Sequence, residues 1–186
     1  MSQKVLVVVD IQREYVTPGR PFHIASIGPS LENARRVLET ARRSGWPIYH
    51  VRHLQDGAIF NRDNEHSRFV QGFEPLADER EIHKGNFSCY SAPEFAEAMA
   101  RHAARGDELV LVGYGSTMCC LSTIIEGYHR GQKMTFVQDA SCAKASTRFG
   151  EEGLHAHATD IIATYARVVR TDQLSEEPGS RAEVSS

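Results

Sequence analysis

The chain of 186 residues lacks any apolar run near the ~18 residues that cross a bilayer. It also lacks a basic-then-apolar leader before the first strand-like run, which starts at Lys4. There is no surplus of positive charge: 21 Lys and Arg lie scattered among 24 Asp and Glu, for a net charge of −3. That balance argues against a polybasic surface for nucleic acid or anionic lipid. Paired, zinc-like cysteine spacing is missing as well, since the four cysteines stand at 89, 119, 120 and 142. Neighbouring Cys119 and Cys120 are poorly arranged for a structural disulfide, so free thiols in a reducing compartment are expected. No internal repeat is visible. From these absences a soluble cytoplasmic protein with no membrane or nucleic-acid partner is expected, of a length that suits one domain.

What the chain does contain is an alternation of strand and helix signals. Val5 to Val9 is a β-branched run of the kind buried on both faces of a sheet. Residues 11–29, with Pro18-Gly19 and Pro21, read as a long loop. Residues 30–44 place Leu31, Ala34, Val37, Leu38 and Ala41 on one helical face, with Ser30 as N-cap and Gly45 as stop. Pro47 to Val51 reads as a second strand, and 54–78 as an irregular loop long enough to suggest function. A short strand over 80–84 precedes a capping box at Ser91 and Glu94, with Tyr90 and Phe95 as a hydrophobic staple and a helix over 92–104. A strand over 108–113, a helix over 118–130 burying Leu121, Ile124, Ile125 and Tyr128, a strand over 133–138, a helix over 150–164 and a strand over 167–170 complete the pattern. Such βαβ alternation predicts a three-layer α/β/α fold, a doubly wound, mostly parallel sheet of roughly six strands. The expected domain spans 1–173, followed by a polar, flexible tail over 174–186.

Ligands of such sheets bind beyond the carboxyl ends of the strands. Asp10, Lys84 and the Cys119 turn all stand at carboxyl ends, so the topology predicts an acid, a base and a thiol in one crevice. The thiolate is the reactive form of cysteine. A helix N-terminus and a nearby Lys84 are expected to lower the Cys119 pKa, and Asp10 is placed to take the thiol proton and return it to a leaving group. The flexible Gly113–Ser116 stretch lets backbone amides face an attacked carbonyl as an oxyanion hole. Cys120, rotated by about 100° on the helix, is expected to face the core, and Cys89 and Cys142 to be structural.

These residues carry a resemblance. Val8-Val9-Asp10-Ile11-Gln12, His83-Lys84 followed by Phe87-Ser88, Gly113-Tyr114-Gly115-Ser116-Thr117-Met118-Cys119, Gly131 and Asp139-Ala140 together resemble the isochorismatase-like cysteine hydrolases, a family that includes nicotinamidases, N-carbamoylsarcosine amidases and ureidoacrylate or biuret amidohydrolases. The resemblance runs from Val5 to about Val169. It implies a triad of Asp10, Lys84 and Cys119, a cis peptide at Tyr114-Gly115, the amides of Gly115 and Cys119 as oxyanion hole, and a homodimer or homotetramer. Gly115, Ser116 and Thr117 stand where the family usually has Ala, Thr and Asp. The Asp-x-His metal cluster of nicotinamidases is missing from the His50 to Asp56 segment, so no metal, no cofactor and no nicotinamidase activity are expected.

Of nine histidines, His50, His53 and His66 could converge on a metal, whereas His102, His129, His155 and His157 read as surface helix positions. Tyr15, Phe60, Phe87 and Tyr114 are candidate pocket residues for a small-molecule substrate. The expected activity is hydrolysis of a linear amide or ureido C–N bond through a thioester. The alternatives are vinyl-ether hydrolysis of an isochorismate-like acid, which need not use the thiol, and a non-catalytic binding protein on the same fold.

Overall fold

A computed structural model of the chain describes residues 2–175. Six strands form one sheet: β1 Lys4–Val9, β2 Ile48–His53, β3 Arg80–Lys84, β4 Glu108–Tyr114, β5 Lys133–Cys142 and β6 Arg167–Val169. Their order is β3-β2-β1-β4-β5-β6, and neighbouring strands are parallel throughout. Strand order reverses between β1 and β4, and at such a switch point the loops leaving two neighbouring strands diverge to opposite faces and open a crevice.

Alternate residues of the central strands feed two cores, as the two-residue period of a strand requires. Val5, Val7, Val9, Leu109 and Leu111 pack with Phe95, Met99 and Ile124 from α3 (Pro93–Ala104) and α4 (Leu121–His129) and with Ile162 of α5 (Glu151–Ile162). Leu6, Val8, Val110 and Val112 pack on the other face with Ala34, Val37, Leu38 and Ala41 of α2 (Gly28–Arg43) and Leu174 of α6 (Thr171–Ser175). A short α1, Arg13–Val16, interrupts the stretch that reads as a loop. No helix among the described residues is long and apolar enough to cross a membrane.

Several local expectations are corrected. Helix α2 starts two residues before Ser30, with Pro29 in its first turn; Ser30 lies inside it, donating back to the Ile27 carbonyl at 2.8 Å. The capping box at Ser91 and Glu94 does not form: Cys89–Ser91 is a 3₁₀ turn and Ala92 caps α3 with no side-chain bond. The Tyr90–Phe95 contact survives, with ring centroids 5.1 Å apart. Tyr128 points outward, 51% exposed. His102 is buried between Tyr49 and Asp107, and His155 is half-buried against Ser116. Strand β5 runs four residues past Gln138. The polar C-terminal stretch begins with a helix, α6, anchored by buried Leu174. The rest of the expected tail, 176–186, lies outside the described residues.

Candidate active site

The register of the sheet explains how three distant residues meet. Val9 pairs with Val51 on one side and Gly113 on the other, so Asp10 leaves the centre of the sheet with β2 and β4 beside it. His53 pairs with Lys84. Lys84 is two strands from Asp10, a gap that its four-carbon stem bridges by passing the end of β2. Asp10 adopts φ 51°, a left-handed conformation that Asp tolerates better than most residues. Its amide donates to Val51 O at 2.9 Å and its carbonyl accepts from Gln12 N at 2.8 Å, which turns the carboxylate out of the strand and over the sheet edge.

The thiol arrives from β4. Gly113 has φ 119°, and a Cβ there would collide with the Val9 carbonyl, so only glycine lets β4 turn while its backbone stays against β1 so close to the site. The Tyr114-Gly115 peptide is cis. Residues Ser116–Cys120 then form a π-helical turn rather than the first turn of an α-helix. Cys119 is 5% exposed, and Cys120 is wholly buried with Sγ 3.6 Å from Gly113 O. Thr123 ties the turn down, donating to Cys119 O at 2.7 Å and accepting from Cys89 N at 2.9 Å.

Lys84 Nζ is the hub. It lies 2.9 Å from Asp10 Oδ2, 3.1 Å from Asn86 O, 3.2 Å from His53 Nδ1 and 3.3 Å from Cys119 Sγ. The side chains of Asp10 and Lys84 are wholly buried. Lys84 pairs with Oδ2 alone at 2.9 Å, and the carboxylate keeps lone pairs for the thiol proton. Burial pushes the Cys119 thiol far above its usual range, and the Asp10 charge adds to this; Lys84 pulls the other way without prevailing. The expected lowering of the Cys119 pKa is therefore reversed: the resting sulfur is a protonated thiol beside a base. Burial disfavours the Lys84 ammonium, but the Asp10 carboxylate beside it outweighs this and holds its pKa above the ordinary lysine range.

Donor atoms of Asp10, His53 and Cys119 lie within 4.8 Å of one another, a spacing that could hold a cation. The Lys84 ammonium, within 3.3 Å of an atom of each, already supplies one, and a metal ion would have to displace it. His50, His53 and His66 do not form a ligand cluster among the described residues. His50 bonds Glu79 and His66 faces Thr17.

A cleft of about 190 Å³ opens above Cys119. Tyr15, Phe60 and Phe87 line it, joined by Phe22, His53, Gln55, Asn86 and Met118. Tyr114 is placed differently: it is wholly buried, its hydroxyl is 3.0 Å from Ser30 Oγ, and its ring backs Tyr15 at 5.6 Å. It supports the cleft wall without reaching the cleft. Gln12 fastens the long loop below. Its amide donates to the carbonyls of His53 and Ser67 at 3.0 and 2.8 Å and accepts from His53 N at 2.9 Å. His53 and Gln55 are the site residues that sequence reasoning missed in this role. The available signal was position, because β2 lies between the strands that deliver Asp10 and Lys84.

The profile described as "Isochorismatase domain" matches residues 4–173. The chain belongs to the isochorismatase family of cysteine hydrolases. It is 24% identical over 188 residues to the maleamate amidohydrolase of Pseudomonas putida KT2440, covering 92% of this chain and 85% of that protein. The crystal structure of an isochorismatase from the same strain superposes with a TM-score of 0.84 at 26% identity, covering 92% and 89% of the two chains. The N-carbamoylsarcosine amidase of Thermoplasma acidophilum has the same fold, with a TM-score of 0.73 at 24% identity and coverage of 91% and 97%.

Proposed function

We propose that this hydrolase of C–N bonds other than peptide bonds is a cysteine-dependent amidohydrolase that cleaves a linear amide or ureido bond of a small molecule through a thioester. The observation that carries the reading is the Lys84 ammonium in contact with both a carboxylate and a thiol, 2.9 Å from Asp10 and 3.3 Å from Cys119, behind a cleft that Cys119 itself lines.

As the substrate carbonyl approaches, Asp10 takes the Cys119 proton while Sγ attacks the carbonyl carbon. Lys84 offsets the negative charge that passes from carboxylate to sulfur, so the three-residue cluster keeps a constant total charge in a buried setting where an uncompensated charge is costly. The tetrahedral oxyanion rests on the amides of Gly115 and Cys119, a contribution of about 2.7–4 kcal/mol per donor in comparable sites. Collapse breaks the C–N bond, and the proton held by Asp10 leaves with the amine or ammonia. Water then attacks the thioester, Asp10 takes its proton, and the carboxylic or carbamic acid departs as the thiol is restored. The kinship with a maleamate amidohydrolase and the fold shared with an N-carbamoylsarcosine amidase support C–N bonds as the target. Four free cysteines, one of which must stay reduced to act, support a reducing, cytoplasmic setting.

The test is turnover of a panel of small amides and ureido compounds by the parent protein and by Cys119→Ala, with iodoacetamide labelling mapped by mass spectrometry. Loss of turnover in Cys119→Ala and labelling of Cys119 ahead of Cys120 are expected. Activity that survives Cys119→Ala would refute the thioester and favour the thiol-independent vinyl-ether reaction.

A further inference from the structure

The catalytic lysine fixes more than the charge on sulfur. An ammonium only donates, so His53 Nδ1, 3.2 Å from Lys84 Nζ, is an acceptor and carries no hydrogen. The neutral imidazole then bears its hydrogen on Nε2, and Nε2 is 3.0 Å from Gln55 Oε1. With Oε1 occupied as acceptor, the Gln55 amide is oriented: its NH2 group turns away from His53, and Gln55 lines the cleft. On the facing segment, Asn86 Oδ1 accepts from the Phe87 amide at 2.8 Å, so that side chain also offers its NH2. No carboxylate, ammonium or guanidinium is among the residues lining the cleft.

We propose that Gln55 is a specificity-determining residue whose donor polarity is set by the relay Lys84–His53–Gln55. The relay selects small, flat amides that carry a hydrogen-bond acceptor (a second carbonyl, a carboxylate or a ring nitrogen) at the end remote from the scissile carbonyl. The inference rests on the amidohydrolase reading for the identity of the scissile end. The cleft supplies the rest of the description. At about 190 Å³ it is smaller than the several hundred Å³ typical of drug-sized ligands. Its walls include the rings of Tyr15, Phe22 and Phe60, packed together with centroids 5.2–6.1 Å apart. Flat aromatic walls suit a planar occupant, and the oriented amides on the rim address its far end.

Binding is best read apart from turnover, in the Cys119→Ala protein by calorimetry. Two matched pairs isolate the remote acceptor: maleamate against (Z)-crotonamide, and nicotinamide against benzamide. The acceptor-bearing member of at least one pair should bind about fivefold more tightly or better, the effect of one hydrogen bond, neutral for nicotinamide and charge-assisted for maleamate. Gln55→Glu keeps an oxygen for the His53 Nε2 hydrogen but replaces the donor by an anion, so the preference should vanish or invert. Gln55→Leu, which removes the donor altogether, should also abolish it. No preference in either pair, a preference that survives Gln55→Glu, or no binding by any of the four compounds would overturn the proposal. Hydrolysis by Cys119→Ala would instead sink the thioester reading and leave this comparison of affinities standing.

Discussion

Replacing Asp10 by Asn should stop turnover and at the same time make Cys119 more reactive. The two effects have opposite signs for one reason. In the proposed mechanism Asp10 is the proton acceptor for the thiol, so its loss removes the base needed for attack and the proton needed by the leaving group. Asp10 is also a negative charge beside a sulfur that must become negative, and its donor oxygen lies within 4.8 Å of Sγ. At an effective dielectric of about 20, two like charges at that separation repel by about 3.5 kcal/mol, a factor of a few hundred in the thiolate fraction. With a neutral amide in place of the carboxylate, the Lys84 ammonium 3.3 Å from Sγ is left with the thiolate as its natural counter-ion. Iodoacetamide alkylation of Cys119 at neutral pH, followed by mass spectrometry, should therefore run at least about tenfold faster in Asp10→Asn than in the parent, while amide hydrolysis falls by at least about a thousandfold. Slower or unchanged alkylation would refute the electrostatic account of the resting thiol, and retained hydrolysis would refute Asp10 as the base.

Acid stability should report on Glu79, which bonds Arg42 at 2.7 and 3.0 Å, His50 at 2.7 Å and the Leu76 amide at 2.9 Å. Burial works against its ionisation, but Arg42, Leu76 and His50 prevail and hold its pKa at about 2 rather than 4.5. A depressed carboxylate stabilises the fold above its unfolded pKa and loses that contribution as pH falls, so chemical denaturation should show about 3 kcal/mol disappearing between pH 4.5 and 2, with Glu79→Gln lacking that slope. A second expectation concerns the turn that carries Cys119, the proposed nucleophile. His155 Nε2 donates to Gln138 O and its Nδ1 accepts from Ser116 Oγ, both at 2.9 Å, so Ser116→Ala and His155→Phe should each lower kcat by about tenfold with KM little changed. Because they remove the same bond, the double variant should be no worse than either; additive losses would show that the two act separately.

Much of the architecture was legible because the signals were local and redundant. The β-branched run from Val5 to Val9 admits little but a buried strand, and Gly45, Gly106 and Gly131 end their helices with φ of 65°, 74° and 75°. Asp10, Lys84 and Cys119 could be grouped because a parallel sheet gathers its strand ends at one edge, whatever their separation in sequence. The misses arise where tertiary contact overrules local preference. Ser30 has the chemistry of an N-cap, but α2 starts earlier at Gly28-Pro29, and the hydroxyl serves Tyr114 across the core. Ser91 and Glu94 have the spacing of a capping box, yet Pro93 takes the first helical position and shifts the boundary. His102 and His155 look like solvent-facing histidines until the carboxylate, carbonyl and hydroxyl that receive them are in place. His53 could not be separated from the other histidines by composition; its meaning depends on pairing with Lys84 in the register of β2 and β3.

Gln12 spends its whole amide on two distant stretches of main chain, the end of β2 and Ser67, and Gln12 also bridges Phe69 just beyond. The stretch from 54 to 66, which supplies Gln55 and Phe60 to the cleft, thus hangs between two clamped ends like a cassette in a frame. Cutting that one side chain back to Ala would release both ends together, so the wall that carries Gln55 and Phe60 should loosen as a unit.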